Sequence, residues 1–166
     1  MKIIKKLLII VVAISCLLSL AAGCTPPKNV IDVKGKTFEF ESFDAWFSAD
    51  ATDLHKQSAI DMLLFTMDED PGINEHNFFD YFIPSYENKV LNDGTMRVCT
   101  FNEDGRVTYL GTDYTWVQSG SNLTLTSVAS YAGKHSVVRL SVVGNTIVHD
   151  LTTTDKIVTQ TIFKLV

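Results

Sequence analysis

Cys24 is the side chain in this sequence whose type and surroundings point most directly to covalent chemistry. It ends an apolar run that narrows to the small residues 21–23, and Pro26 and Pro27 follow it. A thiol is the best side-chain nucleophile available for making a thioether bond. Cys24 therefore indicates where the protein is attached in the cell and does not indicate what it binds.

The segment before Cys24 has the two parts of an export signal. Lys2, Lys5 and Lys6 form a basic start, and apolar residues fill 7–22. As a helix this run would span about 24 Å at ~1.5 Å per residue, whereas a bilayer core needs ~30 Å. No stop-transfer charges follow the run. We therefore predict a signal peptide over residues 1–23.

The residues 21–24, Ala-Ala-Gly-Cys, resemble the lipobox of bacterial lipoproteins, with Ala21 at the place where that family usually has leucine. The resemblance implies that Cys24 receives a diacylglyceryl group and that signal peptidase II cleaves before it. The membrane is then a partner through this anchor, because two acyl chains hold firmly where one does not. The implied location is the exported side of the cell membrane or envelope. An ordinary secretory signal with an incidental cysteine and an uncleaved anchor remain open.

The remaining chain divides into a tether over residues 24–34 and a domain over 35–166. Residues 39–93 carry thirteen acidic side chains against only Lys56 and Lys89, while the whole chain has a net charge of −5. This acidic balance argues against nucleic acid as a partner. Cleavage would leave Cys24 and Cys99, so a lipidated chain has no thiol pair for a disulfide. Cys99 is predicted to be a small buried residue.

From Thr95 onward the sequence consists of short runs rich in β-branched and aromatic residues, bounded by glycine, asparagine or aspartate. Asp104-Gly105 and Gly144-Asn145 are hairpin signals, and the loops are too short for parallel crossovers. The pattern predicts about seven antiparallel strands, the first of them "TMRVCTF", and "GKTFEFES" supplies one more. Eight such strands can close into an up-and-down β-barrel without exposed edges.

The same stretches resemble the lipocalin-like domains of small bacterial lipoproteins. The resemblance rests on Gly-x-x-Phe at 35–38 and on "FNEDGRVTY", "YTWVQSGSNLTL" and "RLSVVGNTIVHDL". It covers residues 35–166 apart from an insertion and implies a mainly β, lipocalin-like barrel. Thr37 stands where lipocalins carry a tryptophan, and Lys164 is the nearest candidate for their terminal basic residue. This fold holds many different ligands, so it does not assign one.

Residues 44–93 are predicted to be a helical insertion between the first and second strands. Ile60, Leu63, Leu64 and Met67 have helical spacing, which predicts a helix that starts at an Asp50 N-cap and stops at "DEDPG". The stretch "NEHNFFDYFIPSYEN" predicts a second short helix that ends before Pro84.

The aromatic side chains of the insertion have two interpretations. In the first, they form a lid over one barrel mouth and line an apolar ligand site. In the second, they are core residues that plug the barrel or pack against its outside. The second interpretation is favoured, because an aromatic-rich amphipathic helix is more often core than pocket. The candidate ligand-binding side chains are Tyr114, Trp116, Phe78, Phe79 and Phe82.

Metal binding and catalysis find little support in the sequence. The four histidines are scattered without zinc spacing, and the acidic stretch 68–75 lacks the ligand pattern of an EF-hand loop. No cue pairs two carboxylates or sets a nucleophile beside a histidine. We therefore predict no metal, no cofactor and no enzyme activity.

Three functions are compatible with these features. The first is a membrane-anchored lipoprotein that binds a small apolar ligand or lipid in or at the mouth of the barrel. The alternative is an interaction or inhibitor module whose acidic insertion contacts a basic envelope protein. An enzyme ranks last, because no catalytic set can be named.

Overall fold

The computed structural model describes residues 30–67 and 71–166, so the lipobox and Cys24 lie outside the described residues. The eight strands are β1 (Thr37–Phe47), β2 (Val98–Thr100), β3 (Arg106–Tyr109), β4 (Thr112–Ser119), β5 (Asn122–Tyr131), β6 (Lys134–Val143), β7 (Thr146–Thr152) and β8 (Ile157–Leu165). The helices are α1 (Asp53–Phe65), α2 (Phe78–Asn92) and α3 (Gly94–Arg97).

The strands form one antiparallel sheet in the order β2-β1-β8-β7-β6-β5-β4-β3. β1 pairs with β8 along most of its length, so the first strand meets the last and the sheet curls into a nearly closed barrel. In the sequence, the helices lie between β1 and β2. The predicted mainly β, up-and-down barrel of eight strands with a helical insertion after the first strand is confirmed.

Strict alternation along β8 fixes which side chains point into the barrel. Ile157, Thr159, Thr161 and Phe163 are all buried, while the residues between them are more exposed. This is the period of two that a half-buried strand requires. β1 keeps its apolar side chains inward through a bulge between Phe40 and Ser42, where its register with β8 shifts.

The barrel is filled by its own side chains. Phe38 and Phe101 meet edge to face with ring centroids 5.8 Å apart, and Leu125 in the middle of β5 is fully buried. Cys99 is buried in β2 as predicted, and desolvation raises its pKa to about 12, so the thiol stays protonated. The barrel core comprises Val33, Phe38, Cys99, Phe101, Val107, Tyr109, Tyr114, Leu123, Leu125, Leu140, Val142, Ile147 and Phe163.

The helices α1 and α2 build a second core, the cap core, on inward-facing residues of β1 and β8. Phe47 of β1 stacks on Phe78 of α2 with centroids 5.4 Å apart, and Phe43 stacks on Tyr86 at 3.9 Å. The helices therefore pack over one mouth of the barrel. The buried residues of the cap core are Phe43, Ala45, Ala59, Ile60, Leu63, Ile73, Phe78 and Ile157.

The prediction that the second helix ends before Pro84 is wrong. α2 continues through Pro84 to Asn92, although proline donates no backbone hydrogen bond. Pro84 is exposed, and α2 packs on both sides of it through Phe78 and Val90, which are buried. Tertiary packing outweighs the local cost of the proline here.

Three other expectations need correction. The N-cap of α1 is Thr52, whose backbone N–H donates to Nδ1 of His55 at 3.1 Å, and not Asp50. The strand predicted from "TMRVCTF" begins only at Val98, because Asp93 caps a helical turn by accepting from the Thr95 backbone N–H. β1 extends to Phe47, so the insertion spans 48–97 rather than 44–93.

The two ends of the barrel carry different structures. At one end, the tether end, segment 30–36 crosses the mouth, and its backbone contacts Gln118, which accepts from the Val33 N–H at 3.0 Å. The β4–β5 and β6–β7 turns lie at this end. At the cap end, Lys156 in the β7–β8 turn pairs with Asp50 at 2.7 Å. The chain therefore enters opposite the helices.

Candidate functional site

The five predicted ligand-binding side chains do not form one site. Tyr114 and Trp116 lie on β4 and contact the barrel core, whereas the three phenylalanines lie on α2 in the cap core. Tyr114 is only 8% exposed. The structure therefore divides the predicted set between the barrel and the cap.

Trp116 belongs to the tether end of the barrel. Its ring meets Phe101 edge to face at 5.6 Å, and its Nε1 is buried without a hydrogen-bond partner. A shallow depression beside it is lined by segment 30–32, Gln118 and Gly120. The unpaired Nε1 has no structural explanation.

An apolar groove lies between α1 and α2, here called the cap groove, with a volume of about 340 Å³. This lies at the lower end of the ~300–1,000 Å³ range of small-molecule sites. Phe78 and Phe82 line it, but Phe79 does not. Its lining residues are Ala59, Met62, Leu63, Thr66, Phe78, Phe82, Ser85, Tyr86, Lys89 and Ile157.

One wall of the cap groove is a row of aromatic rings on α2. Phe78, Phe82 and Tyr86 follow at intervals of four, the spacing that places side chains on one helix face. Phe78 and Phe82 stack with centroids 5.2 Å apart, and Phe43 holds the Tyr86 ring from the barrel side. Because each ring is braced by another, this wall is preformed.

The opposite wall comes from one face of α1. Ala59, Met62 and Leu63 line the cap groove, and two of them also belong to the cap core. Ala59 is the small residue of the three, so the wall recedes there and leaves space between the helices. Met62 is 58% exposed and forms the rim.

Sequence reasoning missed a polar cluster beneath the cap. The Tyr109 hydroxyl lies 2.9 Å from Nδ1 of His149, and His149 is paired across the sheet with Thr161. Thr161 is buried, and its side chain lies beside the Tyr86 hydroxyl of α2. The cluster thus links strand β3 to the cap through β7 and β8. The position of His149 was the available indication, because it follows the inward-facing Ile147 by two residues and therefore lies on the same face of β7.

Burial controls the protonation of this cluster. Desolvation lowers the pKa of His149, and the nearby Asp150 opposes that shift. Desolvation also raises the pKa of Tyr109 well above its ordinary value. The phenol is therefore protonated and can donate to the neutral imidazole of His149.

A second cavity, of about 510 Å³, opens where β6 and β7 separate. Their pairing covers only Ser141–Val143 and Thr146–Val148. The polar side chains Arg139 and Asp150 line this crevice together with the inward Leu123 and Leu140. Its mixed polar lining differs from that of the cap groove.

Comparisons with known proteins found no match to this chain: no family model matches the sequence, and searches of the curated proteins and of the solved structures found no significant match. Within residues 30–67 and 71–166, no cluster of three or more acidic, histidine or cysteine side chains could hold a metal ion. The same residues include no helix with the length and hydropathy needed to cross a membrane.

Proposed function

We propose that this protein is a bacterial lipoprotein, anchored through Cys24, whose barrel domain binds a small apolar ligand in the cap groove. The observation that carries the proposal is the preformed apolar groove with its braced aromatic wall. The barrel serves as a scaffold, since its interior is filled by buried side chains. The proposal assigns no catalysis, and places the protein on the exported side of the cell membrane or envelope.

The path of the chain gives the anchored domain an orientation. The six Cα–Cα steps from Cys24 to Val30 reach at most ~20 Å, so an anchor there keeps the tether end close to the membrane. The eleven residues of β1 run from the tether end to the cap end and extend roughly 36 Å. The cap groove then faces away from the membrane that holds the protein.

Fluorescent labels on Asn145→Cys and Gln57→Cys variants test this orientation on vesicles that contain lipids with nitroxide head groups. Asn145 lies in the β6–β7 turn and Gln57 on α1, and both are exposed. The buried Cys99 thiol does not compete for the label. We expect strong quenching at position 145 and little at 57. Equal quenching, or more at 57, would contradict the anchored orientation.

Met62→Glu tests the cap groove as the ligand site. A carboxylate on the rim makes an apolar wall polar, so we expect the affinity for decanol, measured by equilibrium dialysis, to fall at least ~tenfold, or about 1.4 kcal/mol. Leu54→Glu is the matched control, because Leu54 is 79% exposed on the same helix and outside the groove. It should change decanol binding less than about twofold. Similar losses in both variants would refute the groove site.

One observation favours a second candidate function, an interaction module for a basic partner protein. α1 exposes Leu54, Met62 and Phe65, and Phe65 is 92% exposed. Asp53 and Asp61 lie on the same helix. An apolar surface bordered by acids is typical of a protein-binding site. The same variants separate the candidates, since partner binding depends on Leu54 and ligand binding does not.

A further inference from the structure

Among the described residues, a single charged side chain lines the cap groove. Of the ten lining residues only Lys89 carries a charge, while the others are apolar, aromatic or hydroxyl side chains. Lys89 lies in the last turn of α2, seven residues after Phe82, so its stem can follow the groove toward solvent.

The Lys89 ammonium is free to contact a ligand. None of the ion pairs in the described part of the chain involves Lys89, although Lys56, Lys156 and Lys164 are each paired with a carboxylate. The charge of Lys89 contributes to lowering the pKa of Asp93, but that carboxylate accepts from the backbone N–H and the hydroxyl of Thr95 at 2.9 and 2.7 Å. The Asp93 carboxylate thus serves as the cap of α3.

The segment of the sequence that contains Lys89 is otherwise acidic, which disfavours anions. Residues 39–93 carry thirteen acidic side chains, and the carbonyl groups at the end of a helix bear partial negative charge. A lone ammonium beside an apolar groove is therefore the feature that allows a negative group to bind here. The volume of about 340 Å³ fits one short chain better than the two chains of a phospholipid.

We propose that the ligand of the cap groove is a single-chain amphiphile whose chain lies between α1 and α2 and whose anionic head group contacts Lys89. This inference rests on the proposed function of the groove. Any head group with an exposed carboxylate or phosphate offers the required oxygen atoms. The alkyl chain of the ligand provides affinity, and its head group provides orientation and selectivity.

The test compares ten-carbon probes that differ only at the head. The full chain, held in a non-ionic amphipol, is dialysed against decanoate, decyl phosphate, decanol or decyltrimethylammonium at neutral pH. We expect both anions to bind more tightly than decanol, and decanol more tightly than the cation. Lys89→Gln should weaken anion binding by up to about fivefold, the upper end for an exposed ion pair, and leave decanol unchanged. High salt should reduce the anion preference.

Lys134→Gln is the matched control. It removes the same charge from the exposed β5–β6 hairpin, outside the groove, so it should leave anion binding unchanged. An equal loss in this variant would overturn the contact with Lys89.

The remaining outcomes separate this inference from the proposed function. Equal binding of decanol and decanoate, unaffected by Lys89→Gln, would overturn the anionic head group but leave an apolar ligand site. Binding of no probe would overturn both. A dimer in native mass spectrometry that takes up no probe would show that a second copy fills the groove, which also overturns the proposal.

Discussion

Replacing Phe78 by alanine is expected to lower the free energy of unfolding by about 3–5 kcal/mol, the usual cost of removing a buried aromatic ring. Phe78 is 1% exposed and lies within 5.4 Å, between ring centroids, of Phe47, Phe79 and Phe82. The total free energy of unfolding of a domain of this size is about 5–15 kcal/mol. Urea unfolding measures the loss.

Phe65→Ala is the control for this prediction. Phe65 has the same side chain in the same insertion but is 92% exposed, so its truncation should change stability by less than about 0.5 kcal/mol. If Phe78→Ala cost less than about 1 kcal/mol, the cap would not be packed on the barrel as described. Hydrogen exchange should also show faster opening of α1 and α2 in the Phe78 variant.

The second large effect concerns Tyr109. Tyr109→Phe keeps the ring in the barrel core but removes the hydroxyl that lies 2.9 Å from Nδ1 of His149. The half-buried imidazole then loses its partner, and we expect a loss of about 1–3 kcal/mol in the free energy of unfolding at neutral pH. His149→Gln should cost less, because its amide can still pair with Tyr109. An unchanged stability in Tyr109→Phe would contradict the hydrogen bond.

The same pair makes stability depend on pH. The pKa of His149 is lowered in the folded state, so below about 6.5 the unfolded chain binds a proton that the folded chain does not. Stability should therefore fall as the pH decreases through this range and level off below the folded pKa. Asp150 beside the ring moderates the loss. The fall should be smaller in His149→Gln, and an identical pH profile would refute the assignment.

The barrel was predictable from sequence because its signals are local. Val, Ile and Thr runs with alternating burial, and turns such as Gly144-Asn145, each specify one hairpin without distant information, whereas Asp104-Gly105 forms a turn between β2 and β3, which do not pair. Gly105 adopts a φ of +83°, which only a glycine takes without strain. Pairing of chain neighbours then determines the order from β3 to β8, and β1 joins the sheet beside β8.

The cap was less predictable because distant contacts decide its details. Asp50 has a good N-cap side chain, but it pairs with Lys156, 106 residues away, and Thr52 takes the cap. Pro84 signals a helix end, yet the packing of Phe78 and Val90 carries α2 past it. Local propensity predicts the two longer helices, misses the short α3 and fails at the helix ends.

The candidate site was predictable only in part, for the same reason. Phe78 and Phe82 are among the predicted ligand-binding side chains and line the cap groove, but Tyr114 and Trp116 belong to the barrel core at a distance set by the fold. Neither Lys89 nor the Tyr109–His149 pair belongs to a recognisable sequence motif. Their roles arise when α2 packs against β1 and β8 and when β3 faces β7 across the barrel.

Nuclear magnetic resonance of the full chain with labelled methionine methyl groups and tryptophan indoles tests the central claim most directly. Met62 lines the cap groove, Met96 lies on α3 outside it, and Trp116 reports on the barrel core. On titration with decanol we predict a saturable shift of the Met62 methyl signal, with Met96 and the Trp116 indole unchanged. A shift of Trp116 without Met62 would place the ligand in the barrel instead, and no saturable shift would contradict a ligand site in this domain.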